Sequence, residues 1–337
     1  MNGHTPRTVP ILLARYLILA CLVVLLNFLI PRLMPGDPLA ASLNGGLDVA
    51  APITTADRAR LQDYYHLNQP ISRQFRDYLS DLAHGNLGWS ISHSHPVSHL
   101  IVQRLPWTLG LMLTSLILAS IIGTSVGIAA TWFREGRVER GVVSLAAILA
   151  AMPEFLVAIM LLLIFAIGLN WLPLDGGRTV FQEYGSGLSG GLARSADVVR
   201  HMILPVLALS LAGAAGFMLI SRDAIVGVRR AEWLSLARAK GLRERQVVVR
   251  HLLPNVALPL LTFFGLRLGA IFGGALVVER VFNLPGLGQL AFQAVQSRDY
   301  PVLQAVFLLS GLGVLAANLC LELIYVRVDP LDRAAHV

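Results

Sequence analysis

Residues 222–254, RDAIVGVRRAEWLSLARAKGLRERQVVVRHLLP, form the one long basic and polar stretch of a very apolar chain. Eight Arg and Lys residues stand against three acidic residues there, and Lys240 is the only lysine of the protein. Hydrophobic segments long enough to cross a bilayer precede and follow the stretch. It therefore predicts a polar helical segment, held between two membrane spans, that presents a surface to a soluble protein.

The composition of the whole chain is that of a membrane protein. Charged residues make up 14% of the 337 residues and hydrophobic residues 55%, whereas a soluble domain carries about 25% charged residues. The apolar residues are concentrated in blocks, which predicts an all-α polytopic membrane protein folded as a single domain, 1–337. Cys21 and Cys320 both lie in apolar segments, so neither a disulfide framework nor a thiolate metal site is predicted.

Six apolar segments are long enough to be spans. Their predicted bounds are 11–31, 107–131, 142–168, 201–220, 255–278 and 302–326. The first is followed by Leu33-Met34-Pro35 rather than by a small-residue cleavage site, so we expect it to be retained as a span. Gly123 and Gly127 in the second offer small faces for close helix packing.

The distribution of charge predicts the orientation of these spans. Segment 32–105 carries six arginines and six aspartates, so we expect it outside, with helical periodicity between residues 56 and 82. Loop 132–141 and stretch 222–254 are predicted to be cytoplasmic, because Lys and Arg gather on that side and the stretch has five more bases than acids. Six spans place both termini in the cytoplasm. The formal charge of +7 therefore does not indicate nucleic acid.

Three polar side chains inside the predicted spans are candidates for a translocation path: Asn27, Glu154 and Arg267. Charged groups in a membrane usually face a cavity or a partner, and Glu154 follows Pro153, where we expect a kink. Each also has a structural alternative. For Asn27 this is a hydrogen bond between helices, for Glu154 an ion pair or an interfacial position, and for Arg267 a helix or headgroup contact.

His93, His95 and His99 cluster in the predicted external segment. Three neighbouring imidazoles can bind Ni or Zn, but no carboxylate or cysteine accompanies them. A solvated loop is therefore favoured over a metal site, for which these histidines are weak candidates.

Sequence signatures of ATP-binding and metalloprotease chemistry are missing. Neither G-x-x-x-x-G-K-[ST] nor H-E-x-x-H occurs, and Lys240 is followed by Gly241. We therefore predict no catalytic and no cofactor-binding residues. A transport or channel role is favoured over an enzyme role, with any energy source outside this chain.

The basic stretch has an internal pattern. Residues 230–240 and 243–253 each show helical spacing, and Gly241 between them allows a sharp reversal. The run ARAKGL at 237–242, with Leu253-Pro254 beyond it, resembles the EAA loop of ABC-transporter permeases. Ser235 and Leu236 stand where that family has its leading Glu and first Ala, and Glu232 provides an acidic residue slightly earlier.

This resemblance implies a cytoplasmic coupling helix seated in a groove of an ATPase subunit. The implied ATPase-coupling residues are Glu232, Leu234, Ala237, Lys240, Gly241, Leu242 and Pro254. We expect Gly241→Asp to leave membrane insertion intact and to uncouple transport.

Further motifs extend the resemblance over nearly the whole chain. They are PGDP at 35–38, LNQPI at 67–71, GNLG at 85–88, VVERVFNLPGLG at 277–288, RDYP at 298–301 and DP at 329–330. They are similar to permeases for oligopeptides, dipeptides and nickel. The resemblance implies an importer in a bacterial cytoplasmic membrane, with a second related permease, two ATPases that hold ATP and Mg, and an external solute-binding protein.

Several alternatives stay open at this point. Peptide import is favoured because peptide importers are common in the resembled family, and import of nickel or a metal chelate is the alternative. Glu154 departs from the family, whose members more often carry an uncharged residue there. It would serve as a proton carrier in a self-sufficient secondary transporter. A membrane scaffold or sensor would show no substrate flux at all.

Overall fold

The computed structural model describes residues 5–33, 69–90, 92–133, 136–174, 176–179, 188–229, 232–271, 276–297 and 299–328. Four of the family motifs lie wholly or partly outside these residues: the PGDP turn at 35–38, the start of LNQPI, the first residue of RDYP and the DP pair at 329–330. So does the first half of the helical segment predicted between residues 56 and 82. Fold statements below concern the described residues.

Helices account for nearly all of this structure. In chain order they are α1 Thr5–Leu33, α2 Ile71–Ala83, α3 Val97–Ile128, α4 Arg137–Ala151, α5 Glu154–Leu161, α6 Leu188–Val228, α7 Glu232–Ala239, α8 Glu244–Val247, α9 Leu253–Ala270, α10 Leu276–Val281, α11 Leu287–Gln296 and α12 Tyr300–Val328. Wider π-helical turns follow α3 at Ala129–Phe133 and α5 at Leu162–Gly168, and join α8 to α9 at Val248–Leu252. A short antiparallel hairpin pairs β1 Trp89–Ser90 with β2 His95–Pro96.

Five of these helical stretches are long and apolar enough to cross a bilayer: Pro10–Leu29, Val97–Phe133, Ser189–Val228, Glu244–Ala270 and Tyr300–Leu323. The count becomes six if the bent pair Arg137–Ala151 and Glu154–Gly168 crosses as one broken span. The predicted fold class, an all-α polytopic membrane protein, is confirmed. The bounds of the single spans and their orientation stay predictions, since no membrane is present.

Two helical stretches differ from the predicted spans in a way that the sequence explains. α6 begins at Leu188, well before residue 201, because polar residues can continue a helix beyond the apolar layer. The stretch from Glu244 to Ala270 begins earlier than residue 255 for the same reason. It ends before Gly273-Gly274, where helix propensity is low.

The chain divides into two compact units. The first comprises Met1–Trp107, Phe272–Leu276 and Gly286–Val337. Its core lies where the first turns of α3 meet α11 and α12, and α1 packs along α12. At Gly311 of α12 a side chain would come within 2.9 Å of Val23 on α1, so glycine permits the close approach of these two helices.

The second unit comprises Thr108–Ile271 and Val277–Pro285. α6 is its centre and packs against α4, α5 and α9. α3 crosses α6 at small residues, as the glycine spacing predicts. A side chain at Gly123 would overlap the carbonyl oxygen of Ala214, and one at Gly127 would lie 2.8 Å from Ser221. The two backbones are therefore in contact at this crossing.

A sharp bend separates α4 from α5. The two helices are inclined at 102°, and the linking residues Met152 and Pro153 are extended, with ψ of 130° and 137°. Proline pushes the preceding residue out of the helical region, and its missing N–H removes a helical hydrogen bond. The kink predicted at Pro153 is thus a complete break, after which Glu154 begins a new helix.

Candidate functional site

The segment predicted to couple to an ATPase is anchored by one face of α7. Leu234 and Ala237 are only 4% and 5% exposed. They pack in an apolar cluster with Trp132, Ile225, Val247, Val248, Leu252 and Val256. This cluster joins α7 to the ends of α3, α6 and α9. Leu234 and Ala237 therefore position the segment, and the small Ala237 side chain lets α7 lie close to the other helices.

Gly241 ends α7 in a conformation that requires glycine. Its φ is +73°, and the N–H of Leu242 donates to the carbonyl oxygen of Ala237 at 3.4 Å. This is the 6→1 hydrogen bond of a Schellman motif, in which the apolar residue after glycine turns back onto the helix. Leu242 accordingly packs against the apolar cluster. No atom lies within 4 Å of a Cβ built on Gly241, so backbone conformation and not space demands the glycine.

The outward side of the segment is formed by other residues. Leu236 is 57% exposed, and Ala239, Lys240 and Gly241 are also exposed. Pro254 lies exposed at the start of α9, whereas Glu232 opens α7 with only its backbone described. The sequence prediction omitted Leu236. Its signal is an apolar side chain on the face opposite Leu234 and Ala237.

Two further contacts, which no motif predicted, tie the end of α3 to the segment. The indole Nε1 of Trp132 donates to Oε2 of Glu244 at 3.1 Å. The guanidinium of Arg229, after α6, donates to the carbonyl oxygen of Thr131. Trp132 is itself buried in the apolar cluster. We call these two hydrogen bonds the α3 latch, because they fix the π-helical turn after α3 to stretch 222–254.

Two of the predicted path residues meet in the structure. Nη1 of Arg267, in the last turn of α9, lies 3.6 Å from Oε1 of Glu154, in the first turn of α5. The guanidinium carbon of Arg267 also lies 5.3 Å from the ring centroid of Phe263. A carboxylate at a helix N-terminus is stabilised by the helix dipole. The ion pair expected as the structural alternative for Glu154 is present, but the side chains keep 41% (Arg267) and 44% (Glu154) exposure.

Asn27, the third predicted path residue, is turned into the first unit. It is 7% exposed, and its Nδ2 donates to the carbonyl oxygen of Gln304 at 2.9 Å. Its Oδ1 accepts from the hydroxyl of Tyr78 at 3.2 Å. The amide thus joins α1 to α12 and α2, which matches the structural alternative stated for it.

The three histidines do not converge. The rings of His95 and His99 lie edge to face with centroids 5.8 Å apart, whereas Nδ1 of His93 lies 2.9 Å from the hydroxyl of Ser92. Across the part of the chain that the structure describes, no group of three His, Cys, Asp or Glu side chains is placed to hold a metal ion.

Two buried carboxylates lie in motifs that were noted for resemblance only. Oδ2 of Asp299 accepts from the hydroxyls of Ser90 at 2.6 Å and Ser92 at 2.7 Å, which ties the β1–β2 hairpin to the start of α12. Oε1 of Glu279 accepts from the hydroxyl of Thr108 at 2.6 Å. These hydrogen bonds offset part of the cost of burying the two carboxylates, while Oδ1 of Asp299 is buried with no hydrogen-bond partner among the described residues.

Comparison with known proteins identifies the family of this chain. Residues 123–331 match the family described as "Binding-protein-dependent transport system inner membrane component". The chain belongs to this family. The match includes the α3–α6 crossing, the Glu154–Arg267 pair and the whole of the 222–254 stretch.

Relatives of this permease cover almost its full length. It is 33% identical to the oligopeptide transport system permease protein AppB of Bacillus subtilis, over 97% of this chain and 96% of the relative. It is 36% identical to the glutathione transport system permease protein GsiC of Salmonella choleraesuis, over 93% and 94%. A chain of the MetNI methionine ABC transporter in inward-facing conformations shares the fold, with a TM-score of 0.50, 17% identity and coverage of 68% and 96%.

The resemblance to ABC-transporter permeases is therefore confirmed, and the protein is a permease subunit of a binding-protein-dependent importer in the inner membrane. Such a subunit is a transport component and not itself an enzyme. The family implies that an ATPase and a solute-binding protein work with it.

Proposed function

We propose that this permease forms half of a translocation path for di- and oligopeptides and is driven by ATP hydrolysis on separate ATPase subunits. The observation that carries the proposal is the construction of stretch 222–254. One face of α7 is buried on the permease, and the opposite face, with Leu236, Lys240 and Gly241, is offered outward. A helix that is buried on the permease along one face and exposed along the other can transmit force from a partner protein.

In this proposal the ATPase contacts the outward face of the coupling segment, and the buried face carries the displacement into the spans. Leu234, Ala237 and Leu242 keep α7 on the permease, while Pro254 starts the helix that leads to Arg267. The α3 latch adds a second connection, through Trp132 and Glu244. Nucleotide-driven movement of α7 would then reach α3, α6 and α9 together. Alternating access needs only a few kcal/mol of difference in contact energy between states.

The rest of the assembly follows from the same proposal. A second, homologous permease completes the path, two ATPases bind ATP and Mg, and an external binding protein delivers the substrate. Both termini and stretch 222–254 lie in the cytoplasm, while the 32–105 segment faces outward. No cofactor is assigned to this chain.

Peptides are the preferred substrate because relatives covering over nine-tenths of this chain carry names that refer to oligopeptide and glutathione transport. Glutathione is itself a small peptide. Nickel import is less favoured, since neither relative is named for it and the three histidines do not converge.

The test is uptake into proteoliposomes that contain the full complex and its binding protein. We expect uptake of a labelled dipeptide to require ATP inside the vesicles and to be inhibited by excess unlabelled dipeptide but not by nickel. Inhibition by nickel alone would overturn the peptide assignment. Uptake that follows a proton gradient in vesicles without ATPase subunits would overturn ATP coupling and favour a secondary transporter, and absence of any flux would favour a scaffold.

A further inference from the structure

The Glu154–Arg267 pair lies deep in the membrane region. Arg267 is about 20 Å along the helix axis from Pro254, at about 1.5 Å per residue. Glu154 follows α4, whose 15 residues span about 22 Å. Both distances start from elements predicted to be cytoplasmic, so they place the pair well inside the roughly 30 Å apolar layer. Helix tilt would move the pair towards the middle of the layer and not out of it.

At this depth the pair cannot face lipid tails without a large penalty. A charged residue at the centre of a spanning helix costs about 2.5–3.5 kcal/mol on insertion scales, and such residues face a cavity or a partner. Yet this chain leaves 41% of Arg267 and 44% of Glu154 uncovered. Water, substrate or another subunit must therefore cover the exposed part of both side chains.

The pair is also loose. A charge-assisted hydrogen bond is about 2.7–2.9 Å long, whereas Nη1 of Arg267 and Oε1 of Glu154 are 3.6 Å apart. The Arg222–Glu139 pair of the same unit is closer, at 3.3 Å, and its carboxylate is only 17% exposed. The two deep charges thus attract one another without using up their hydrogen-bonding capacity on each other.

We propose that Glu154 and Arg267 form a weak, charge-selective contact for peptides within the translocation path. The guanidinium of Arg267 pairs with carboxylates of the passing peptide, and the carboxylate of Glu154 pairs with its ammonium groups. Adjacent opposite charges suit substrates that carry both signs at their termini. The contact must be weak, because conduction requires that the substrate leave as readily as it enters.

This inference rests on the proposed peptide function and deepens it. The pair balances its own charge, so the intact permease tolerates peptides of either net charge. Neutralising one member of the pair leaves the charge of the other unbalanced. The permease should then favour acidic peptides when Glu154 is neutralised and basic peptides when Arg267 is neutralised. A purely structural ion pair would not produce opposite selectivities.

The experiment measures ATP-driven uptake of Ala-Glu-Ala, Ala-Ala-Ala and Ala-Lys-Ala by the reconstituted complex. In Glu154→Gln, Arg267 is left alone, and we expect the uptake ratio of Ala-Glu-Ala to Ala-Lys-Ala to rise about tenfold over that of the wild type, the size of one charged hydrogen bond. In Arg267→Gln we expect the ratio to fall by a similar factor. Glu139→Gln, which breaks the Arg222–Glu139 pair near the cytoplasmic end, is the matched control and should leave the ratio unchanged.

Ratios in both variants within twofold of the wild type would overturn the inference and leave the pair a structural one. A wild-type complex that takes up none of the three peptides would instead refute the peptide function itself. If a single variant fails to assemble, the neutral double variant Glu154→Gln with Arg267→Gln removes the unpaired charge. We then expect both charged peptides to lose uptake relative to Ala-Ala-Ala, and an unchanged relative rate would contradict the proposal.

Discussion

Replacing Gly241 tests the coupling segment through backbone conformation alone. The φ of +73° costs an L-residue roughly 1–2 kcal/mol, while the space around its Cβ position is open. Gly241→Ala therefore adds strain without a clash. Strain of this size changes the ratio of a docked to a displaced α7 end about 5- to 30-fold. Gly241→Asn should cost less, since Asn tolerates positive φ, and Gly241→Val should cost most.

The assay is the amount of dipeptide imported per ATP hydrolysed by the purified complex in proteoliposomes. We expect this coupling ratio to fall in the order Gly, Asn, Ala, Val. Gly136→Ala is the matched control, because Gly136 also has positive φ, +84°, and an open Cβ position but lies outside the segment. The reasoning is wrong if Gly241→Val couples as well as Gly241→Asn, or if Gly136→Ala lowers the ratio as much as Gly241→Ala.

Comparing Gly241→Asp with Gly241→Asn separates the effect of charge on coupling from the effect of backbone conformation. Asp tolerates positive φ about as Asn does, so the two variants carry a comparable backbone cost. A coupling ratio far lower in Gly241→Asp than in Gly241→Asn would show that a negative charge beside Lys240 disturbs the ATPase contact. Equal behaviour of the two would assign the effect to the backbone.

Three further changes probe other contacts. Gly123→Val should overlap α6, destabilise the permease by about 1–3 kcal/mol or more and lower the thermal midpoint of the purified complex. Gly110→Ala should leave the midpoint unchanged, because nothing lies within 4 Å of its Cβ position. Equal midpoints in the two variants would contradict the helix crossing. Asn27→Leu should cost about 1–3 kcal/mol by leaving buried partners unsatisfied, again seen in the midpoint, without altering the order of preference among peptides. Trp132→Phe and Glu244→Ala should show a coupling energy of about 0.5–1.5 kcal/mol in a double-mutant cycle on thermal stability, and strictly additive effects would argue against the α3 latch.

The sequence was sufficient for features that depend on composition and local pattern. Blocks of apolar residues predict helices that can span a membrane, and the run around Gly241 predicts two short helices joined by a reversal. The structure has both, with α7 and α8 on either side of the glycine. Local signals suffice here because propensity, charge placement and a glycine with positive φ all act within a few residues.

Features that depend on contacts between residues far apart in the chain could not be predicted from the sequence. Leu234, Leu236 and Ala237 are all apolar, so spacing alone did not say which of them faces the permease. The bend at Pro153 was predicted, but its angle of 102° depends on how α5 packs against α6. Glu154 and Arg267 were each recognised as unusual, yet nothing local indicates that they form a pair, since they lie on different helices far apart in the chain.

The glycine-lined crossing of α3 and α6 has a mechanical consequence. Backbones in direct contact cannot slide past one another by a helical turn without collision. We therefore expect α3 and α6 to move together as one rigid pair. α6 alone, with 41 residues, is about 60 Å long. The apolar cluster around Ile225 fixes α7 to one end of this rigid pair. A small rotation imposed there would be amplified along its length into a larger sideways shift at the far end.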